Sequence, residues 1–382
     1  MKLLLIHFKK LDWILILTAL LLLGIGLLSI YSSSLGTRAA TKGEEEGLSS
    51  SPKGDFLNFK KQIIFASIGF FLMILLSFFD WRVLKENPYL ILVFYLFCIL
   101  ALLGLFFFAP EIRGVRAWYK LGPISIDPIE FTKITLVLLL AKYFSMRHIE
   151  MYRIRHILLS GLYIFLPVAL IFRQPDLGSV LILIAIWVGI LIISGIKLRH
   201  FLVLVLIFLL ISIFSWFFLL KNYQKERIIS FIQPQFEPLG MGWSQNQAKI
   251  AIGSGGIFGQ GLGRGSQTQY GFLPEPQTDF TFAAIAEELG LFGISVLFIL
   301  LFILIWRIMK IALLASNNFP RLFASGVVLI LISQIFIHIG MNLGILPIIG
   351  IPLPLVSYGG SNLITTFIAL GILQSMKKEL RF

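Results

Sequence analysis

The sequence predicts an all-α polytopic membrane protein of ten transmembrane helices, with both termini cytoplasmic and a large extracytoplasmic loop between helices seven and eight. Three observations carry that prediction. Of the 382 residues, 58% are apolar and only 13% are charged, against about 45–50% and about 25% in an average soluble domain. A soluble fold of this length has too little interior for so much apolar surface, which excludes an ordinary cytosolic enzyme and a disordered chain. The apolar residues fall in runs of about 18 or more, the length at which a helix crosses a bilayer. The formal net charge of +13 is concentrated in the segments on one side of those runs, as the positive-inside rule requires.

The clear runs are Trp13–Tyr31, Gln62–Phe79, Tyr89–Ala109, His156–Phe172, Leu177–Gly195, Phe201–Leu220, Phe292–Ile308, Leu322–Ile345 and Leu363–Met376. A tenth, Ile129–Phe144, carries Glu130, Lys133 and Lys142, and suits a span whose charges lie at its ends or face protein. The first run follows Lys2, Lys9 and Lys10. It is too long for a signal peptide, lacks a small-residue cleavage site and precedes further spans, so it reads as a retained helix. With both termini inside, the cytoplasmic segments hold 17 basic residues against five acidic ones. The charge therefore reports orientation, and nucleic acid is not an expected partner. The single Cys98 sits in an apolar run, which excludes a disulfide framework and a cysteine metal site.

Three outer segments are long. Residues 32–61 are rich in Ser, Gly and Glu and read as a mobile loop. Pro110–Pro128 carries charge and two aromatics. The loop 221–280 is long enough to be functional or disordered. Within it Arg227–Ile232 reads as a short interfacial helix, and Ser244 as the cap of a helix through Ile252. No repeat of 20–50 residues is visible, so 1–382 reads as one integral membrane domain.

Charged groups at membrane depth are the first candidates for function. Four places stand out. In GFLPEPQTDFTFAAIAEELG, Gly271–Gly290, Asp279 sits where the long loop turns into span eight; it reads either as a helix cap or as a general base at the membrane surface. Glu287 and Glu288 follow about 12–13 Å further along a helix, either as a structural pair or as part of a site. In GVRAWYKLGPISIDPIEFTK, Gly114–Lys133, Glu130 and Lys133 share a helix face at i,i+3; such a pair can tolerate a partly dry site whether its role is structural or catalytic. Arg116 and Trp118 precede it, Trp at a depth where it is a common anchor. In AIGSGGIFGQGLGRGSQ, Ala251–Gln267, seven of the thirteen residues from Gly253 to Gly265 are glycine. The segment matches no P-loop; it offers backbone N–H groups to an anion or serves as a linker. In GIPLPLVSYGGSN, Gly350–Asn362, two prolines break a helix and two glycines restart it, as a tight turn or as a segment re-entering the protein. Asp176, in RQPDLG, belongs to the same outer face. His338 alone among the five histidines lies in the interior of a span rather than at its edge or in a loop, where hydrogen bonding is a more common role than ligation.

These motifs, in this order across ten spans, resemble the SEDS family (shape, elongation, division and sporulation): LPExxTDFxF…EExG, AIGSGG…GxG, PxExxK, PDLG and GIPLPxxSYGG. The resemblance covers nearly the whole chain. LDW before span one and QPQFEPLGMGW look more like the elongation branch than the division branch. The resemblance implies a peptidoglycan glycosyltransferase that polymerises lipid II on the outer face of the bacterial cytoplasmic membrane beside a class B penicillin-binding protein. It implies that Asp279 is catalytic and that Glu130 and Lys133 form the family's Glu–Lys pair. Five positions depart from the family pattern. Asp127 and Ile129 stand where Gln and Ser are usual, Gln260 where a Lys is usual, Gln277 where His is common, and Asn362 where Ser is common. The loss of a Lys at 260 shifts weight to Lys249 and Arg264.

A chemistry fits those residues. Lipid II carries its sugar on an α-linked pyrophosphate and the product bond is β-1,4, so one inverting displacement suffices. The acceptor hydroxyl needs one positioned base. Pyrophosphate leaves as an anion, so cations can replace the acid that hydrolytic glycosidases need. Asp279 is the expected base. Glu130, Lys133, Arg116, Trp118, Asp176, Lys249, Arg264, Thr278, Glu288, Ser357, Tyr358, Gly359 and Gly360 are the expected binding or supporting residues. No cofactor is assigned, although a divalent cation such as Mg or Mn could share the task. The competing class is a lipid II flippase or ion-coupled transporter, which would be expected to show inverted repeats and mid-depth sites.

Overall fold

A computed structural model describes residues 9–36, 56–110, 117–122, 124–146, 154–218 and 241–377, together with 220, 225, 229 and 231. The described chain is mainly helical. Long helices are α1 (Trp13–Leu35) and α2 (Leu57–Phe78); the short α3 (Arg82–Glu86) leads into α4 (Pro88–Phe108). Then follow α5 (Pro128–Ser145), α6 (Ile154–Arg173), α7 (Leu177–Ile193) and α8 (Leu198–Phe218). The segment after α8 contributes α9 (Met241–Ser254) and the one-turn α10 (Ser266–Gln269), before α11 (Thr281–Leu314), α12 (Asn318–Leu343) and α13 (Gly360–Lys377). Each of the ten apolar runs falls on one of these helices. Seven of them, α1, α2, α4, α6, α8, α11 and α12, are long and apolar enough to cross a membrane.

The helix starts are chemically legible. Asp12 accepts from Leu15 N at 3.1 Å, Asp127 from Ile129 N at 2.9 Å and Asp176 from Ser179 N at 3.0 Å, so a short carboxylate caps α1, α5 and α7 in turn. Pro88 and Pro128 occupy first-turn positions of α4 and α5, where the missing N–H has no helical partner to lose. Helix α12 ends at Gly344 in the left-handed conformation.

Burial orders the bundle. Helices α5, α12 and α13 are buried along most of their length. Helix α13 runs along α2, and α12 packs against α5, α7 and α11. In contrast, α8 has no buried residue. The three central helices also carry Glu130, Lys133, Gln334, His338, Asn342, Asn362 and Gln374, all buried. Polar side chains are tolerated there because they face other helices rather than hydrocarbon.

At one end of the bundle a charged clasp joins three helices. Asp12 is 2% exposed. Arg307 of α11 reaches it with Nη2 at 2.6 Å and Nε at 3.0 Å from Oδ2, and Lys377 of α13 stands at 3.9 Å. The backbone of Asp12 exchanges two bonds with the amide of Gln374, at 2.8 and 3.2 Å.

Several expectations are corrected. The chain is not purely helical: Tyr119–Leu121 and Ile124–Ile126 form an antiparallel hairpin, β1 and β2. Its Tyr119 hydroxyl donates to the Ala101 carbonyl of α4 at 2.6 Å. Ser244 is not a cap, because α9 already begins at Met241. The helix of span eight starts eleven residues earlier than its apolar run, at Thr281, since the intervening residues are covered by protein and need not be apolar throughout. Of Arg227–Ile232, read as a helix, only Ile229 and Phe231 are described, and both are helical; the middle of 32–61, read as a mobile loop, lies outside the described residues.

The clasp makes a prediction. Removing the guanidinium leaves a buried carboxylate short of its main partner, which typically costs about 3–5 kcal/mol. Arg307→Ala should therefore lower the thermal midpoint of detergent-purified protein strongly. Arg307→Lys should recover only part of it, because an ammonium cannot make the two-pronged contact. Equal midpoints for Ala and wild type would show that the clasp is not stabilising.

Candidate active site

Asp279 ends the turn that leads into α11. Its peptide is held from several sides. Asn342 Nδ2 donates to the Asp279 carbonyl at 3.0 Å. Ser357 Oγ donates to the Thr278 carbonyl at 2.9 Å, and the Thr281 hydroxyl donates to the same carbonyl at 3.1 Å. Two amides of the first turn of α11 bond to α12 side chains: Phe282 N to His338 Nε2 at 3.4 Å and Ala283 N to Asn342 Oδ1 at 3.1 Å. Side chains of α12 thus do much of the capping that one reading assigned to Asp279. The carboxylate itself faces Gly350; a Cβ at that glycine would stand 3.9 Å from Oδ2 and 4.0 Å from Oδ1.

The segment 350–362 straps the turn to the rest of the bundle. It is irregular, and Leu353–Ser357 are buried against protein, the setting in which non-helical backbone is tolerated at membrane depth. Tyr358 N donates to the Gln277 carbonyl at 2.8 Å. Gln62 of α2 donates to the Ser357 carbonyl at 3.2 Å and accepts from Gly359 N at 3.3 Å. Gly360, the first residue of α13, lies against the ring of Phe65. The Tyr358 hydroxyl is pushed up from its ordinary pKa by burial. At the other end of the strap, Asn362 Nδ2 donates to Glu130 Oε2 at 3.0 Å. Glu130 Oε1 in turn accepts from Lys133 Nζ at 2.7 Å. One short segment therefore links the turn that carries Asp279 to the buried Glu130–Lys133 pair.

The glycine-rich loop is neither an open anion cradle nor a linker. Helix α11 is broken at Gly290 (φ 65°, ψ −162°), so Glu287 and Glu288 lie in a short buried stretch ahead of the break rather than deep in one straight span. Both accept hydrogen bonds from the loop. Glu287 takes Gln267 N at 2.6 Å, Thr268 N at 3.0 Å and the Thr268 hydroxyl at 2.7 Å. Glu288 takes the Ser32 hydroxyl of α1 at 2.6 Å, Gln269 Nε2 at 2.9 Å and Gly263 N at 3.2 Å. The backbones then zip together: Gln260 N and Gly261 N donate to the carbonyls of Glu287 and Glu288, at 2.9 and 3.0 Å, and Leu291 N and Phe292 N donate back to Gly256 and Ile257. A Cβ at Gly259 would stand 2.1 Å from the Glu288 carbonyl oxygen, and one at Gly290 would stand 2.3 Å from Gly259 N. Glycine is required there by contact as well as by positive φ.

The remaining predicted residues are placed as follows. Trp118 is half-buried against the core. Asp176 caps α7. Lys249 and Arg264 are exposed, on α9 and on the loop. Arg116 lies outside the described residues. The unusual Gln260 bridges Ser254 and Ser266, at 2.9 and 3.0 Å, and so closes the loop on itself. The unusual Gln277 joins Asn58 of α2 and Ser34 of α1. Reading motifs one by one missed Asn342, Gln62 and Ser361, which hold Asp279, Ser357 and Asp127 respectively. Asn342 could have been found from its i,i+4 spacing to His338 in an apolar run. Among the described residues, no three His, Cys, Asp or Glu side chains converge to hold a metal ion.

Asp127 is held well above its ordinary pKa by burial, then by the neighbouring carboxylate of Glu130, with Asp176 adding to it and Lys133 opposing. A carboxyl whose pKa is raised on folding contributes stability below its unfolded pKa and loses it as pH rises through the folded value. Asp127→Asn keeps the oxygen that caps α5, so it should melt higher than wild type as pH climbs above the ordinary carboxylate range, with the gap closing in acid. Parallel melting curves across pH would contradict this. Gly290→Ala should lower thermal stability by several kcal/mol, because backbone must move to admit the methyl and φ is unfavourable; Gly256→Ala, where φ is also positive but space is open, should cost less, about 1 kcal/mol.

Comparison with known proteins agrees with this architecture. The profile of the FtsW/RodA/SpoVE family of cell cycle proteins matches residues 12–382. The peptidoglycan glycosyltransferase MrdB of Escherichia coli K12 is 39% identical over 311 residues, which is 81% of this chain and 83% of that protein. A chain of a peptidoglycan synthase complex that coordinates polymerization and crosslinking superposes with a TM-score of 0.78 at 30% identity, covering 97% of this chain and 98% of that one. The rod shape determining protein RodA of Thermus thermophilus gives 0.69 at 28% identity, covering 97% of each chain. A match that runs from the cap of α1 to the last residue, on a fold shared almost end to end, settles the family: the chain belongs to the SEDS family of FtsW, RodA and SpoVE proteins.

Proposed function

We propose that this chain is a peptidoglycan glycosyltransferase of cell-wall elongation that polymerises lipid II on the extracytoplasmic face of the cytoplasmic membrane. In this reading all ten long helices cross the bilayer, including α5, α7 and α13. Both termini are cytoplasmic, and 1–382 is one domain whose outer loop 221–280 lies over the site. The basic inner segments support the orientation. A class B penicillin-binding protein is the proposed partner, consistent with the synthase complex whose chain this one resembles.

The observation that carries the reading is the pinned peptide of Asp279. Asn342, Ser357 and Thr281 fix the backbone on both sides of it, so the carboxylate is oriented before substrate arrives, which is what a general base gains from its protein. It takes the proton of the attacking sugar hydroxyl as that oxygen displaces pyrophosphate with inversion. Lys133 is already paired to Glu130, so the pair acts as a neutral, hydrogen-bonding unit that holds the strap in place. The exposed Lys249 and Arg264, with Arg116, supply the net positive charge that pyrophosphate needs on leaving. With no protein cage among the described residues, a Mg or Mn ion at this site would need the substrate's own phosphate oxygens as ligands.

Asp279→Asn should reduce glycan polymerisation by purified protein by about 10²–10⁴-fold without changing its thermal midpoint appreciably. Near-normal polymer from this variant would remove Asp279 from the role. Glu130→Gln should retain activity at roughly a tenth to a hundredth of wild type; full activity would make the pair purely structural. Translocation of lipid II in liposomes with no polymer formed would instead favour a flippase.

A further inference from the structure

Helix α12 carries three buried polar side chains on one face, Gln334, His338 and Asn342, at i, i+4 and i+8. The upper two are engaged. His338 bonds the Ile351 carbonyl at 2.8 Å and Phe282 N; Asn342 bonds Asp279, Ala283 and the His338 carbonyl. Gln334 is 1% exposed, yet neither its Oε1 nor its Nε2 has a hydrogen-bond partner among the described residues. It faces a cavity that is also lined by Glu130, Lys133, Asn362, Thr365 and Thr366. Lys133 is likewise 1% exposed, and among the described residues one of its three N–H groups finds a partner, Glu130.

Buried amides and ammonium groups are rarely left in this state, since each missing partner is costly. The demands define the occupant. It must accept from Lys133 and from Gln334 Nε2, and donate to Gln334 Oε1. It must be neutral, because Glu130 already balances the ammonium: an added anion would face the carboxylate and an added cation the ammonium. It must be small, because its centres have about 20 Å³ to occupy, where about 10–15 Å³ suffices for one water. We infer that this cavity is a built hydration site in which ordered water joins Lys133 Nζ to the amide of Gln334, making Gln334 a positioning residue for the Glu130–Lys133 pair. The water site stands on geometry alone; the positioning role rests on the glycosyltransferase reading.

The test uses the full chain in lipid nanodiscs, imaged at a resolution that shows ordered water, together with lipid II polymerisation kinetics. Wild type should show density between Lys133 Nζ and Gln334; a dry cavity, or a Gln334 amide bonded directly to protein, overturns the site. Gln334→Leu, close in volume and unable to bond water, should lose that density and lower kcat about ten-fold with KM for lipid II unchanged. Gln334→Asn, which can reach through one more water, should restore more than half of kcat. Unchanged kcat in Gln334→Leu, or no rescue by Asn, overturns the positioning role. If Gln334→Leu does not fold, the wild-type density and the Asn kinetics still decide. Wild-type protein that forms no polymer would defeat the enzymatic reading and leave the water density to be judged separately.

Discussion

Two adjacent buried carboxylates, Glu287 and Glu288, are the constraint on which the glycine-rich loop and the head of α11 depend. They sit inside the bundle, where loop amides and hydroxyls supply the donors. A carboxylate that accepts several such bonds is stable without a counter-charge. The reciprocal effect is that a glycine-rich segment, which by composition ought to be floppy, is held to a single path. The loop's own backbone then completes the break in α11, and the break sets where Thr281, and so Asp279, emerges.

The same logic explains why the most polar helices lie at the centre. In water, a helix with Glu, Lys, Gln, His and Asn would put them outside. In a bilayer the outside is hydrocarbon, so α5, α12 and α13 turn these groups toward one another, while α8, apolar throughout Phe201–Ile211, can stand at the edge. Polar groups at the centre must find partners within the bundle, and the contacts they make, Asn362 to Glu130 and Asn342 to Asp279, are also the contacts that define the site.

Much of this was legible in the sequence. Apolar runs give the helices because the bilayer imposes a minimum length, and Asp12, Asp127 and Asp176 mark three helix starts because short carboxylates prefer that position. Family motifs pointed to Asp279 and to Glu130–Lys133. The fate of the glycine-rich loop was not legible. Whether its amides meet a ligand or a carboxylate depends on a tertiary contact between segments some twenty residues apart, and glycine count is the same in both cases. The hairpin 119–126 escaped notice for a similar reason: its strands are three residues each, too short for alternation to show, and the anchoring of Tyr119 on Ala101 is a long-range contact. The early start of α11 was hidden because protein, not lipid, covers its first two turns.

The two ends of α1 have a joint consequence for α11. A helix broken at a glycine would ordinarily be a hinge, its halves free to change their angle. Here α1 lies across the break and is bonded to both sides of it, through Ser32 to Glu288 ahead of the break and through Asp12 to Arg307 beyond it. Two fixed points on a rigid rod close a triangle, and a closed triangle cannot flex without breaking a side. Helix α1 is thus a splint. It converts the bend at Gly290 into a rigid elbow, so the angle at which the head of α11 presents Asp279 is set by the length of α1.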